Sequence, residues 1–146
     1  MDATQKVAPT RRSPVLNMDF SRKVVIDTNR HEWASSPSPT VWRKPLARAA
    51  AESGHTTSIV RFDPNSYFAE HEHPLGEEIL VLDGIFSDEH GDYGPGTYIR
   101  NPPGSRHSPF SRDGCVLFVK LDQFDPEDTA TIRIDTHTTG WLPGQG

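Results

Sequence analysis

His71-Glu72-His73-Pro74-Leu75-Gly76-Glu77-Glu78-Ile79-Leu80-Val81-Leu82-Asp83-Gly84 is the stretch that decides how this chain folds. Two runs with strand character flank Pro74-Leu75-Gly76, a triplet with turn chemistry. Successive side chains of a strand point to opposite faces. A strand over Tyr67–His73 therefore turns residues 67, 69, 71 and 73 the same way, and both histidines share a face. On the next strand, Glu77–Leu82, the same alternation groups Glu77, Ile79 and Val81 and turns Glu78, Leu80 and Leu82 away. Leu80 and Leu82 make that second face apolar too, and a strand apolar on both faces is covered on both sides. A second sheet or a second copy of the chain would cover it. Asp83-Gly84 then stands between two β-rich runs, and both residues tolerate positive φ, which predicts a tight hairpin.

The same pattern continues outward. Strands are expected at Thr56–Phe62, Ile85–Asp88, Thr97–Arg100, Cys115–Leu121 and Thr131–Ile134, with a further one over Val41–Ala47 in which Pro45 marks an edge or a bulge. Asp63-Pro64-Asn65, Gly94-Pro95-Gly96, Pro102-Pro103-Gly104 and Asp113-Gly114 separate them. The 146 residues hold 11 glycines and 13 prolines, an excess of turn formers that favours many short strands over long helices. The fold class is therefore all-β, a sandwich or a closed barrel. Upstream, Val24-Val25-Ile26 reads as a short strand and Trp33 to Pro39 as a loop rather than a strand. Ala47 to Glu52 reads either as a short helix ended by Gly54 or as a polar turn between strands.

Composition excludes some functions. A net charge of −5, with acidic residues dispersed, supplies no basic field for nucleic acid. The longest apolar runs are four or five residues, too short to span a membrane, and no apolar segment resembling a secretory signal begins the chain. A cytoplasmic location is the expectation that remains. Cys115, the single cysteine, sits in Cys115-Val116-Leu117-Phe118-Val119 and reads as a small buried hydrophobe.

The chemistry concentrates in four side chains. His71, His73 and Glu77 come from the opening stretch. His107 ends a second string, Gly96-Thr97-Tyr98-Ile99-Arg100-Asn101-Pro102-Pro103-Gly104-Ser105-Arg106-His107. Three imidazoles and one carboxylate make a donor set for one divalent metal, suited to Zn, Fe, Mn, Ni or Cu. Four such ligands close a tetrahedral Zn but leave open positions on a five- or six-coordinate ion. Glu78 alternates to the opposite face of its strand from Glu77. Arg61, Tyr98 and Arg100 are candidates to orient a ligand or meet an anionic substrate. Phe68, Phe110 and Phe118 read as core. His31, His55, His90 and His137 fall in loop-like stretches and read as solvated.

The two strings together resemble the paired motifs of the cupin superfamily. The first has His-x-His, three residues, Glu, six residues, Gly; the second has Gly, five residues, Pro-x-Gly, two residues, His. The resemblance implies a double-stranded β-helix (jelly-roll) barrel with one metal at its mouth, held by His71, His73, Glu77 and His107. Ser111 stands where the second motif usually continues with Asn. The wider stretches 76–93 and 96–107 are similar to the ChrR-like branch. That branch includes the C-terminal domain of zinc-dependent anti-sigma factors and stand-alone proteins likened to acetylacetone-cleaving dioxygenases. The matching cysteines and the helical domain with which a ChrR-type anti-sigma factor grips its sigma factor have no counterpart in this sequence, so sigma-factor binding is not expected to carry over.

The domain reading is a flexible arm over residues 1–20, a single cupin domain over 21–136 and a tail over 137–146. Trp141 in the tail echoes the loop around Trp33, as the start of a second cupin unit or by coincidence. The functional expectation is a metal-dependent, dioxygenase-like enzyme acting on a small dicarbonyl, enol or hydroxy acid, in a homodimer. Glu77 departs from the all-histidine sites of acetylacetone-cleaving enzymes. The alternative is a zinc- or ligand-binding sensor.

Overall fold

The computed structural model describes residues 15–50, 54–125, 127 and 131–140. Thirteen strands are present among them. In chain order they are β1 (Ala34–Ser35), β2 (Val41–Arg48), β3 (Thr56–Phe62), β4 (Ser66–Tyr67), β5 (His71–His73), β6 (Glu77–Gly84) and β7 (Phe86–Asp88). There follow β8 (Gly91–Tyr93), β9 (Thr97–Asn101), β10 (Ser105–His107), β11 (Phe110–Ser111), β12 (Cys115–Leu121) and β13 (Ile132–Asp135). One 3-10 turn, Thr28–Arg30, is the helical element described.

The larger sheet has the order β1-β2-β3-β12-β6-β9-β13, the smaller β4-β11-β7-β8, and β5 pairs with β10 as a two-stranded ribbon. Every pairing is antiparallel. Alternation along the strands builds the core. Val41, Val60, Ile79, Val81, Ile99, Leu117 and Val119 face inward from the larger sheet and are buried. Phe86 of the smaller sheet meets them, its ring edge-on to Phe62 at 5.7 Å. Two antiparallel sheets enclosing one apolar core make the jelly-roll barrel that the sequence predicts.

β3 and β12 match their expected bounds, and β2, β6, β7, β9 and β13 differ from theirs by one or two residues. Pro45 sits at a register shift between β2 and β3, as its missing N–H requires. Cys115 is buried.

Four local readings are corrected, and one that the sequence left open is decided. Asp83-Gly84 does not form a hairpin, because β6 pairs with β9 and β12 while β7 pairs with β8 and β11. Gly84 is instead the corner where the chain leaves one sheet for the other. Its φ is +71°, and a Cβ there would overlap the Gly114 carbonyl oxygen and lie 2.8 Å from Cys115 Cα. Tyr67–His73 is not one strand: β4 and β5 are separated by residues 68–70. The break resets the alternation, so Tyr67 faces solvent at 69% exposure while Phe68 packs edge-on to Phe62. Val24 and Val25 are exposed and belong to no strand. Ala34–Ser35 does pair, with Trp42 and Arg43, inside the stretch read as loop. Ala47 and Arg48 extend β2 and a bend follows, so no helix forms over residues 47–50. Residues 51–53 of that candidate, 1–14 of the arm and 141–146 of the tail, Trp141 included, lie outside the described residues. Leu16 exchanges two backbone hydrogen bonds of 2.8 Å with Arg48, which ties the start of the described chain to β2.

Candidate metal centre

β5 and β10 carry the histidines. Their register sets His107 opposite His71 and Ser105 opposite His73, so all three imidazoles stand on one face of the ribbon. The Pro74–Gly76 turn returns the chain into β6, whose first residue is Glu77. Gly76 donates to the His73 carbonyl at 3.2 Å, and Gly104 donates to the same oxygen at 2.8 Å. Both turns that flank the cluster are thus tied to His73. Asp122 accepts the Leu75 N–H at 3.0 Å and secures the first turn from the far side.

Ring nitrogens of His71, His73 and His107 lie within 4.8 Å of one another. His73 Nε2 and His107 Nε2 are 2.8 Å apart. Two nitrogens at right angles around an ion at about 2.0–2.1 Å would be separated by about 2.9 Å, so this spacing fits two ligands of one metal. His71 Nδ1 is 3.0 Å from the Ala69 carbonyl oxygen, which can only accept. Its proton therefore sits on Nδ1, and Nε2 is left with a lone pair, the tautomer a metal-binding histidine needs.

Glu77 Oε1 lies 3.3 Å from His73 Nε2 and 3.4 Å from His107 Nε2. Asn101 Nδ2 donates to the same oxygen at 3.2 Å. Burial pushes the Glu77 carboxyl up, but His73, His107 and the Asn101 amide outweigh it and hold the group down at about 2. Burial opposes protonation of His73, and the Glu77 carboxylate, with Asp122, reverses this and leaves its pKa raised. Burial lowers the pKa of His107, against Glu77 and in concert with the neighbouring imidazoles. The cluster thus combines an ionised carboxylate with a spread of imidazole basicities, as suits a site that exchanges protons for a cation.

A cavity of about 370 Å³ opens beside the cluster. Its walls are mainly apolar, with Val60, Phe68, Leu117 and Val119 among them. Phe68 packs against the core, as expected, and also stands at the cavity wall, 5.4 Å edge-on from His71. Phe110 stacks on exposed Tyr67, and Phe118 pairs with Leu80 on the outer face of the larger sheet; both are half-buried. Neither belongs to the buried core.

Arg61, Tyr98 and Arg100 are brought elsewhere. Tyr98 donates to Glu78 Oε1 at 2.8 Å on the outer face of the sheet, where alternation also puts Glu78. Arg61 lies over the Trp33 and Trp42 rings, 4.7 and 5.6 Å from their centroids. Arg100 lies 5.9 Å from the Phe124 ring centroid. None of the three lines the cavity. His31 and His90 are exposed, as expected of loop histidines; His55 is half-buried against Phe20. Asn101 escaped the sequence reading because the strand was ended at Arg100. Its parity with Ile99 would have turned it inward, opposite Glu77.

The family model of the ChrR cupin-like domain matches residues 21–125. The chain belongs to this family. No curated protein matches it. Among solved structures it resembles that of Rhodobacter sphaeroides SigE in complex with the anti-sigma ChrR, at 20% identity and a TM-score of 0.55. The match covers 65% of this chain and 54% of that one, so the chain spans about half the length of that relative. A putative acetylacetone dioxygenase from Methylibium petroleiphilum PM1 superimposes at 16% identity with a TM-score of 0.61, covering 80% of this chain and 92% of that one. The polyketide cyclase RemF from Streptomyces resistomycificus does so at 17% identity and 0.59, covering 70% and 81%. Identities this low establish the cupin fold and leave the reaction open. No helix among the described residues is long and apolar enough to cross a membrane.

Proposed function

We propose that this cupin binds one divalent metal through His71, His73, Glu77 and His107 and is a dioxygenase-like enzyme acting on a small dicarbonyl, enol or hydroxy acid. The observation that carries the reading is the convergence of three imidazoles and an ionised, buried carboxylate on the wall of one small apolar cavity. A bound Zn, Fe, Mn or Ni would supply the electrophile for an oxygen-rich ligand and, if redox-active, a route to O₂ chemistry. The chain's own residues do the rest. Ala69 fixes the His71 tautomer, Asn101 holds Glu77, and the apolar wall keeps bulk water from the ligand. One carboxylate against a dication leaves the centre positive, which favours an enolate or carboxylate ligand over a neutral one.

The resemblance to an acetylacetone dioxygenase supports the enzyme, and the resemblance to the ChrR complex supports the alternative, a metal or ligand sensor. Leu82 and Ile134, exposed on the outer face of the larger sheet, support a homodimer formed there, and the reading is of a cytoplasmic protein. Oxygen uptake by the metal-reconstituted protein, screened over β-dicarbonyls, enols and hydroxy acids, tests the enzyme. Turnover with one of these classes, lost in His73→Ala, is expected. Ligand binding without turnover under any metal would overturn the enzyme in favour of the sensor.

A further inference from the structure

We propose that the Ser58 hydroxyl reads the end of the ligand far from the metal centre, so that the cavity selects a ring carrying a neutral hydroxyl there over the same ring without one. This rests on reading the cavity as a ligand site and says which ligand it prefers. Strand alternation carries the first step. On β3, Ser58, Val60 and Phe62 are buried and line the cavity. The register sets Ser58 between Pro45 of β2 and Val119 of β12, and Val119 pairs in turn with Ile79. Ser58 is 3% exposed, and none of these three neighbours has a polar side chain.

The other hydroxyls of the wall are engaged by the protein. Thr56 Oγ1 donates to the Gly54 carbonyl oxygen at 3.1 Å, and Ser36 Oγ to that of Ser38 at 3.0 Å. Among the described residues no hydrogen bond reaches Ser58 Oγ. A buried hydroxyl without a partner costs stability, and folded proteins keep few of them. One that faces a cavity beside a metal centre is kept for what enters the cavity. Leu121 pairs with Thr56 and with Glu77, so Glu77 lies two strands across and two residues along from Ser58. That is about 12 Å between Cα atoms across the sheet. The inward reach of both side chains shortens this span, which suits a ring substituted at opposite ends. Phe62, Phe68 and Phe86 on the walls favour such a ring edge-on. The apolar neighbours of Ser58 disfavour a second charge there, so the group is a neutral hydroxyl, which both donates and accepts.

Matched probes test the assignment. Benzoylacetone is titrated against its 4-hydroxyphenyl analogue, and mandelate against 4-hydroxymandelate, by calorimetry on the metal-free and metal-reconstituted protein. Within each pair only the para hydroxyl differs. In at least one pair the wild type should bind the hydroxylated member about three- to tenfold more tightly. Ser58→Ala should erase that preference by weakening the hydroxylated member alone, with metal stoichiometry unchanged. A second readout needs no ligand. Because the hydroxyl satisfies nothing in the protein, Ser58→Ala should unfold in urea at an equal or higher midpoint; a lower one would make the hydroxyl a structural partner and overturn the inference. Failure of every probe to bind would overturn it together with the ligand-site reading. Binding without preference, or a preference that survives Ser58→Ala, would overturn the inference alone. A preference seen in metal-free protein and lost in Ser58→Ala would sustain it even if no metal were taken up, in which case only the metal-enzyme reading fails.

Discussion

Replacing Gly84 and Gly104 by alanine, one at a time, separates two physical effects that the sequence presents as one. Both glycines adopt positive φ, +71° and +77°. An L-residue in that region costs about 1–2 kcal/mol, and this is the whole expected cost at Gly104, where a new Cβ would meet nothing within 4 Å. At Gly84 the Cβ would overlap the backbone of Gly114 and crowd Cys115, and neither can swing aside as a side chain could. β6 and β12 must part where the chain crosses between sheets, which adds about 1–3 kcal/mol by analogy with overpacked interiors. The expected losses are thus about 1–2 kcal/mol for Gly104→Ala and about 2–5 kcal/mol for Gly84→Ala. Urea unfolding of the metal-free proteins measures both; with a slope of about 2 kcal/mol per M, the midpoints fall by about 0.5–1 M and by about 1–2.5 M. Equal losses would refute the argument. They would mean that Asp83-Gly84 is an open hairpin turn, as the sequence alone suggests, and that the sheet corner is elsewhere.

Two other expectations concern the cluster. Asn101→Ala removes the amide that donates to Glu77 Oε1 and should weaken metal binding about 10–100-fold in a chelator competition, with the fold intact; unchanged affinity would deny Asn101 a role in holding the carboxylate. Metal binding should strengthen with pH across the neutral range, because the pKa of His73 is raised and its proton must leave first. The sign is opposite for the metal-free fold. There the His73–Glu77 pair contributes its full stability below 6.5, the ordinary value, and loses it as pH rises through the raised one. A chelator competition flat between about pH 6 and 8 would remove His73 from the proton exchange.

The clustering of the three histidines and Glu77 was legible because it obeys local rules. His-x-His puts two imidazoles on one face of any strand, and the intervening turn is short enough to deliver Glu77 to the same place. The same alternation disfavoured Glu78 as an alternative to Glu77, and the structure turns it outward to Tyr98. What was not legible depends on pairing between distant strands. Asp83-Gly84 has the chemistry of a hairpin, but which strands flank it in space is decided by β12, some thirty residues later. Arg43 and Arg61 look alike in sequence; only the register of β2 against β3 shows that one faces the cavity and the other two tryptophans. Phe68 shares the cavity with His71, which unbroken alternation over residues 67–73 would not allow, because a three-residue break resets it, and no residue between 68 and 70 announces that break.

Metal content after purification without chelator and after reconstitution, measured by elemental mass spectrometry beside Glu77→Ala and His73→Ala variants shown to be folded by circular dichroism, tests the central claim most directly. The account predicts about one divalent ion per chain in the wild type, weakened retention in Glu77→Ala and none in His73→Ala. A wild type that takes up no metal, or a His73→Ala variant that keeps a full complement, would contradict it.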